Sequence, residues 1–233
     1  MRRRPECLCV IDPSRYLSSV SSVVQLPPHL DHIIVAAPDL DAAVAALAKA
    51  TGVTARPGGV HPTFGTRNAL VGLGEGHYLE LIGPEPSIEV ERMPFDLNRT
   101  RTIRVATWAV RPDDADAAVV AATQAGLAVG ELAPGSRRTA EGDLLTWRLT
   151  EPLAADVSGI VPFVIDWGTT TPPGFSLPAE LTVTGFGATG PAPVPLDPLD
   201  TTIAVDQSEA AGLWLDLTGP QGTWQLPVTP IRD

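Results

Sequence analysis

HLDHIIVAAPDLDAAVAALAKATG, residues 29–52, and IRVATWAVRPDDADAAVVAATQAG, residues 103–126, can be laid on one another. Each is an apolar strand, a Pro-Asp, an alanine-rich amphipathic stretch and a closing glycine. At a constant offset of 74 residues, Pro38 falls on Pro112, Asp39 on Asp113 and Gly52 on Gly126. In each copy the aspartate can accept from the free N–H groups that open a helix, and the glycine can take the left-handed conformation that closes it. Leu40, Val44 and Leu47 recur at i, i+4 and i+7, a stripe that packs on a sheet. The spacing predicts helices over 39–51 and 113–125, in two copies of one β–α unit.

Strand candidates separated by turn signals follow each helix: VTARPG, NALVGLG and HYLELIG in the first copy, LAVGEL, LLTWRLT and FVIDWG in the second. Each copy therefore reads as βαβββ. A sheet of four strands with one helix leaves its other face open, and two such units can pair their sheets into a cup. The expected fold class is α+β, with modules over residues 29–100 and 101–178. LTVTGFGATG, TTIAVD, GLWLDLTG and GTWQLP continue with strands and no clear helix. Residues 179–233 are expected to be a partial third unit packed on the second module.

The chain of 233 residues is long enough to bury a sizeable core. Its 24 prolines and 21 glycines favour many turns and short elements over long helices. A formal charge of −11, from 16 basic and 27 acidic residues, opposes a nucleic-acid or anionic-membrane interface and leaves a small molecule as the default partner. Cys7 and Cys9 suit neither a disulfide framework nor the spacing of a zinc site. The opening MRRRPECLCVIDPSRYLSSVSSVV has the basic start of a signal peptide, but Glu6, Asp12, Pro13 and Arg15 interrupt any apolar core. Residues 1–28 are read as a poorly ordered extension of a cytoplasmic protein.

GEGHYLELIGPEP, Gly74 to Pro86, places Glu80 inside a run that otherwise reads as a buried strand. Alternation puts Tyr78, Glu80 and Ile82 on one face and Leu79 and Leu81 on the other. Burying an ionised carboxylate costs several kcal/mol unless it is paired, hydrogen-bonded or bound to a cation. The face that carries Glu80 is therefore open to water, polar or occupied by a metal.

Paired βαβββ modules that open with LDHIIV and reach an acid in YLELI resemble the vicinal oxygen chelate superfamily, which includes glyoxalase I, extradiol dioxygenases and antibiotic-resistance proteins. HPTFGTRNALVGLGEGHYLELIGPEP followed by PFVIDWG is closer still to its glyoxalase-like domain family, over about residues 29–227. The resemblance implies a divalent metal in the cup, held by a first-strand residue and a fourth-strand acid of each module. His32 and Glu80 occupy those positions in the first module, and together they suit Zn²⁺, Fe²⁺, Mn²⁺ or Ni²⁺. In the second module the offset brings Ala106, which ligates nothing, to the position of His32, and the expected acid is Asp166.

In HPTFGTRN, an extended segment would turn Phe64, Thr66 and Asn68 to one face, an aromatic, a hydroxyl and an amide suited to a small polar organic ligand. The alternative is a bend at Gly65-Thr66 with Asn68 bonded to backbone. His61 is a candidate general base or alternative ligand, against a surface histidine. Of Trp108, Trp147 and Trp167, one is expected to touch ligand, with Trp108 as the candidate. Two functions follow from the resemblance. One is a metal-dependent lyase, isomerase or dioxygenase-like enzyme, with Glu80 or His61 moving a proton. The other is a binding protein that sequesters a small molecule without chemistry. A homodimer is compatible with either.

Overall fold

The structure, a computed structural model, describes residues 24–139, 142–152 and 157–229. The first repeat folds as β1 (Leu30–Ala36), α1 (Leu40–Thr51), β2 (Arg56–His61), β3 (Thr66–Gly74) and β4 (His77–Pro84). The second folds as β5 (Arg104–Val110), α2 (Ala115–Gln124), β6 (Ala133–Arg138), β7 (Leu144–Leu149) and β8 (Phe163–Asp166). A separate sheet follows, built from β9 (Thr182–Gly190), β10 (Val205–Gln207), β11 (Gly212–Gly219) and β12 (Gly222–Leu226).

The punctuation read from the repeat sets the first helix. The Asp39 carboxylate accepts from the Ala42 N–H at 3.1 Å, and Gly52, at φ +79°, ends the helix while its N–H donates to the Ala48 carbonyl. The second copy departs by one residue. Asp114, not Asp113, caps α2 by accepting from the Ala117 N–H at 2.9 Å, because the doubled aspartate lets the helix begin one position later. LAVGEL is also not a strand. Gly130, at φ +82°, breaks it, and the ladder with β7 begins at Ala133 opposite Leu149.

The eight strands close into a barrel in the order β1-β4-β3-β2-β6-β7-β8-β5. The two repeats meet at two unequal seams. At one, β1 and β5 run antiparallel over their whole length, from Leu30 opposite Val110 to Ala36 opposite Arg104. At the other, β2 and β6 share a single pair, Val60 with Arg138. Strand alternation then divides the side chains between two cores. Ile33, Val35, Leu79 and Leu81 face outward and join Leu40 and Leu47 of α1 and Val105, Trp108 and Val110 of β5 in one apolar cluster. Ile34, Ala36, Ile82, Ala106, Ala109, Phe163, Ile165 and Trp167 form a second cluster on the inner side.

The C-terminal sheet, in the order β10-β9-β11-β12, lies on the outer core. The expected packing on the second module is through β11, which lies on β5; β11 and β12 also pack on α1, so the sheet covers elements of both repeats. Of the expected N-terminal extension, residues 1–23 lie outside the described residues, whereas Val24 and Leu26 pack on the outer core and the Pro28 carbonyl accepts from Thr201 Oγ1 at 2.6 Å. Among the described residues no helix is long and apolar enough to cross a membrane.

Candidate functional site in the first half of the barrel

His32 and Glu80 stand on neighbouring parallel strands, where Ile34 lies opposite Glu80 and His32 opposite Tyr78. Both side chains are buried on the inner wall, with exposures of 3% and 8%. His32 Nε2 is 3.5 Å from Glu80 Oε2. Its ring stacks on Tyr78, with centroids 4.6 Å apart, and meets the Phe163 ring edge-on. The Asn68 amide donates to Glu80 Oε1 at 2.7 Å, which leaves Oε2 as the oxygen turned to the imidazole.

The orientation of His32 comes from a residue that strict alternation hides. Asp31 should point away from its neighbour, but the β1–β5 ladder slips between Leu30 and His32, and this bulge re-aims the side chain. Asp31 is fully buried, and its Oδ1 lies 2.7 Å from His32 Nδ1. Its Oδ2 accepts from Trp167 Nε1 at 3.1 Å and forms an ion pair, off line for a hydrogen bond, with Arg111 Nη1 at 3.1 Å. A carboxylate that holds one imidazole nitrogen fixes the other as the free one, the arrangement that commonly stands behind a metal-binding histidine.

Thr66 and Asn68 are buried beside this pair, but Phe64 is not with them. Pro62–Phe64 forms a 3-10 turn closed by Gly65 at φ +62°, so the alternation expected from HPTFGTRN breaks and Phe64 is 53% exposed. His61 Nδ1 is 3.1 Å from Thr66 Oγ1. Burial pushes the His61 imidazole below its usual range; the Glu80 charge opposes this shift and the Arg137 charge adds to it. Burial, reinforced by the charges of Asp31 and Glu80, raises the Tyr78 phenol well above its usual value and keeps it protonated.

Two expected site residues face elsewhere. Phe163 and Ile165 of β8 point inward, so Asp166 shares the outward face of Val164. There its Oδ2 accepts from Arg148 Nε and Nη2, at 3.0 and 2.6 Å, and the same guanidinium pairs with Asp116 of α2. The Gly168 N–H, and after it Arg148, hold the Asp166 carboxyl below its usual range. Trp108 is also turned out, because the β1–β5 ladder passes over Ala106. It is fully buried in the outer core, donates to the Ile160 carbonyl at 2.9 Å and meets Phe186 edge-on. Of the three tryptophans, Trp147 and Trp167 are the pair on the inner side, with ring centroids 5.5 Å apart.

The donor set is consequently short. Among the described residues no group of three or more His, Cys, Asp or Glu side chains is placed to hold a metal. His32 Nε2 and Glu80 Oε2 converge as two donors, and a catalytic ion usually has three. Their chemistry fits a divalent ion as part of a ligand set, with Asp31 supporting the imidazole from behind.

The model of the glyoxalase-like domain family matches residues 30–192. The chain belongs to the glyoxalase-like domain family. A hypothetical protein from Staphylococcus aureus has the same fold at 15% identity, with a TM-score of 0.52 over 84% of each chain. Methylmalonyl-CoA epimerase from Mycobacterium tuberculosis aligns at 21% identity and a TM-score of 0.40, over 65% of this chain and 92% of its own. The Streptomyces coelicolor epimerase, in complex with 2-nitronate-propionyl-CoA, aligns at 21% identity and 0.42, over 61% and 96%. No curated protein matches the chain.

Proposed function

We propose that this member of the family acts on a small oxygen-rich organic molecule inside the first half of the barrel, as a lyase or isomerase that moves a proton. The reading rests on one observation: His32 Nε2 and Glu80 Oε2 face each other at 3.5 Å on a buried wall, with His32 held from behind by a buried Asp31. A carboxylate kept there with no salt-bridged arginine or lysine among the described residues is poised for work rather than for stability. Asn68 holds one Glu80 oxygen and leaves the other to accept a proton from a carbon beside a substrate carbonyl. His61 is the second group able to carry it, since burial favours its neutral form and Nδ1 alone is bonded among the described residues. His32 and Glu80 are also the residues that would hold a divalent ion. When bound, such an ion withdraws electron density from a substrate oxygen and stabilises the charge that proton removal leaves.

A second reading, a binding protein without chemistry, is favoured by a donor set that stops at His32 and Glu80 among the described residues. Elemental analysis of protein purified without chelator or affinity nickel separates the two. The enzyme reading expects bound metal, a melting temperature lowered by chelator and restored by excess metal, and loss of that response in His32→Ala and Glu80→Gln. Wild-type protein that carries no metal and ignores both treatments would leave the binding reading, tested by saturable quenching of tryptophan fluorescence by small polar or aromatic ligands.

A further inference from the structure

Beside the short β2–β6 seam lies an open cleft of about 750 Å³. Neither His32 nor Glu80 lines it. It reaches the inner wall at two side chains, Asn68 and Arg137, and the rest of its lining is largely apolar, including Leu40, Val44, Val60 and Leu144. Asn68 is the residue that donates to Glu80, so the cleft ends one side chain from the carboxylate.

Arg137 is unusual in this acidic chain. It is a β6 residue, 7% exposed, and among the described residues it has no acid within ion-pair distance. Nη1 donates to the Gly58 carbonyl, and the other guanidinium nitrogens have no partner among the described residues. A buried guanidinium left without an anion is costly, and its planar fork matches a carboxylate. Asn68 has a complementary gap, because its Oδ1 is buried and has no hydrogen-bond partner among the described residues. Two glycines make the space for both. A Cβ on Gly58 would collide with Asn68 Oδ1, and one on Gly59 would strike the Arg138 carbonyl at 2.5 Å and press on Arg137 Nη1 at 3.0 Å.

We propose that this cleft is the entrance to the inner site and its carboxylate-binding part: it admits a small organic monocarboxylate, whose carboxylate pairs with Arg137 and whose neighbouring hydroxyl or N–H donates to Asn68 Oδ1. The assignment rests on the proposed function in placing the reacting carbon near Glu80. The charge favours a monoanion over a phosphate. Arg67, also in the lining, is already engaged by both oxygens of Asp41 at 3.1 and 3.0 Å, and Arg138 is exposed to water, which leaves Arg137 as the buried cation of the lining without an anion among the described residues.

The test is thermal melting of the full chain with lactate and with mandelate, each a carboxylate with a neighbouring hydroxyl and each compared with its methyl ester, and with inorganic phosphate. At least one of the two acids should raise the melting temperature saturably by a few degrees, while the esters and phosphate do not. Arg137→Gln should lose the rise, and Arg137→Lys, which keeps the charge without the fork, should weaken the acid's affinity by about tenfold. His32→Ala should keep the rise, so an absent metal and an absent carboxylate site give different results. Acids that shift no more than their esters, phosphate that matches them, a response that survives Arg137→Gln, or one that disappears with His32→Ala would each overturn the assignment. Should Arg137→Gln fail to fold, the comparison of acid with ester in the wild type and in His32→Ala still decides it.

Discussion

The two halves of the barrel follow the same path of strands and one helix and turn different chemistry inward. The first presents His32, Glu80, Asn68 and Thr66, all buried. The second presents Ala106, Ala109, Phe163 and Ile165, with Trp147 and Trp167 beside them and Arg137 at the β2–β6 seam. What the halves share is backbone punctuation: an aspartate that opens the helix, a positive-φ glycine after it and a first strand with an outward apolar set. What they do not share is the inner wall. Duplication of this fold therefore constrains how the chain turns and leaves the interior side chains of each copy free to diverge, one half towards a polar site and the other towards an apolar wall.

The contrast can be broken most forcefully at Trp108. As a fully buried outer-core residue it should cost about 3–5 kcal/mol when changed to alanine, measured by denaturant unfolding. A loss below about 1 kcal/mol together with weakened ligand binding would return it to the inner site. Asp31→Asn attacks the polar half through its support. Removing the charge that His32, Trp167 and Arg111 share should cost about 2–3 kcal/mol, towards the lower side of a broken buried pair because Arg111 is partly in water. It should also weaken any divalent-ion response about tenfold or more, as measured by titration of metal against the melting temperature.

The electrostatic link between Glu80 and His61 gives a subtler measurement. Since burial lowers the His61 pKa, its stability contribution is complete above its unfolded value of about 6.5 and is lost as pH falls through the lower folded value. The Glu80 charge opposes that depression, so Glu80→Gln should move the His61 midpoint further down in a proton NMR titration. An unchanged or raised midpoint would remove His61 from the polar cluster. The smallest effect belongs to Asp166→Asn. The ion pair it weakens is largely in water, so stability should change by less than about 1 kcal/mol and any response to metal should stay the same. Loss of that response would bring Asp166 into the site after all.

Much of the fold was legible because the repeat carries its own boundaries in Pro-Asp and Gly, and because Leu79 and Leu81 separate cleanly from Tyr78, Glu80 and Ile82. The His32–Glu80 pairing followed from the same alternation and from the resemblance. What escaped was decided by one-residue shifts that periodicity cannot register. The bulge at Asp31 brings two consecutive side chains together and the one that passes over Ala106 turns Trp108 out, whereas Asp166 faces outward by plain alternation with Phe163 and Ile165. The strand in LAVGEL failed on Gly130, whose positive φ was not assigned from sequence. Arg137 was missed because an SRR triplet in an acidic chain looks like solvated surface. The signal was the pair Gly58-Gly59, two residues without side chains opposite a strand with large ones.

The sheet of β9–β12 has a consequence for the order in which the protein is made. It is translated after both repeats, yet it covers the outer apolar face that α1 and β5 contribute together. Until it emerges from the ribosome, Trp108, Val105 and the exposed flank of α1 have no cover, so a nascent chain that has completed the barrel strands is still sticky. Arrest of synthesis near residue 180 should therefore yield a chaperone-bound intermediate, and release of the last strands should be the step that frees it.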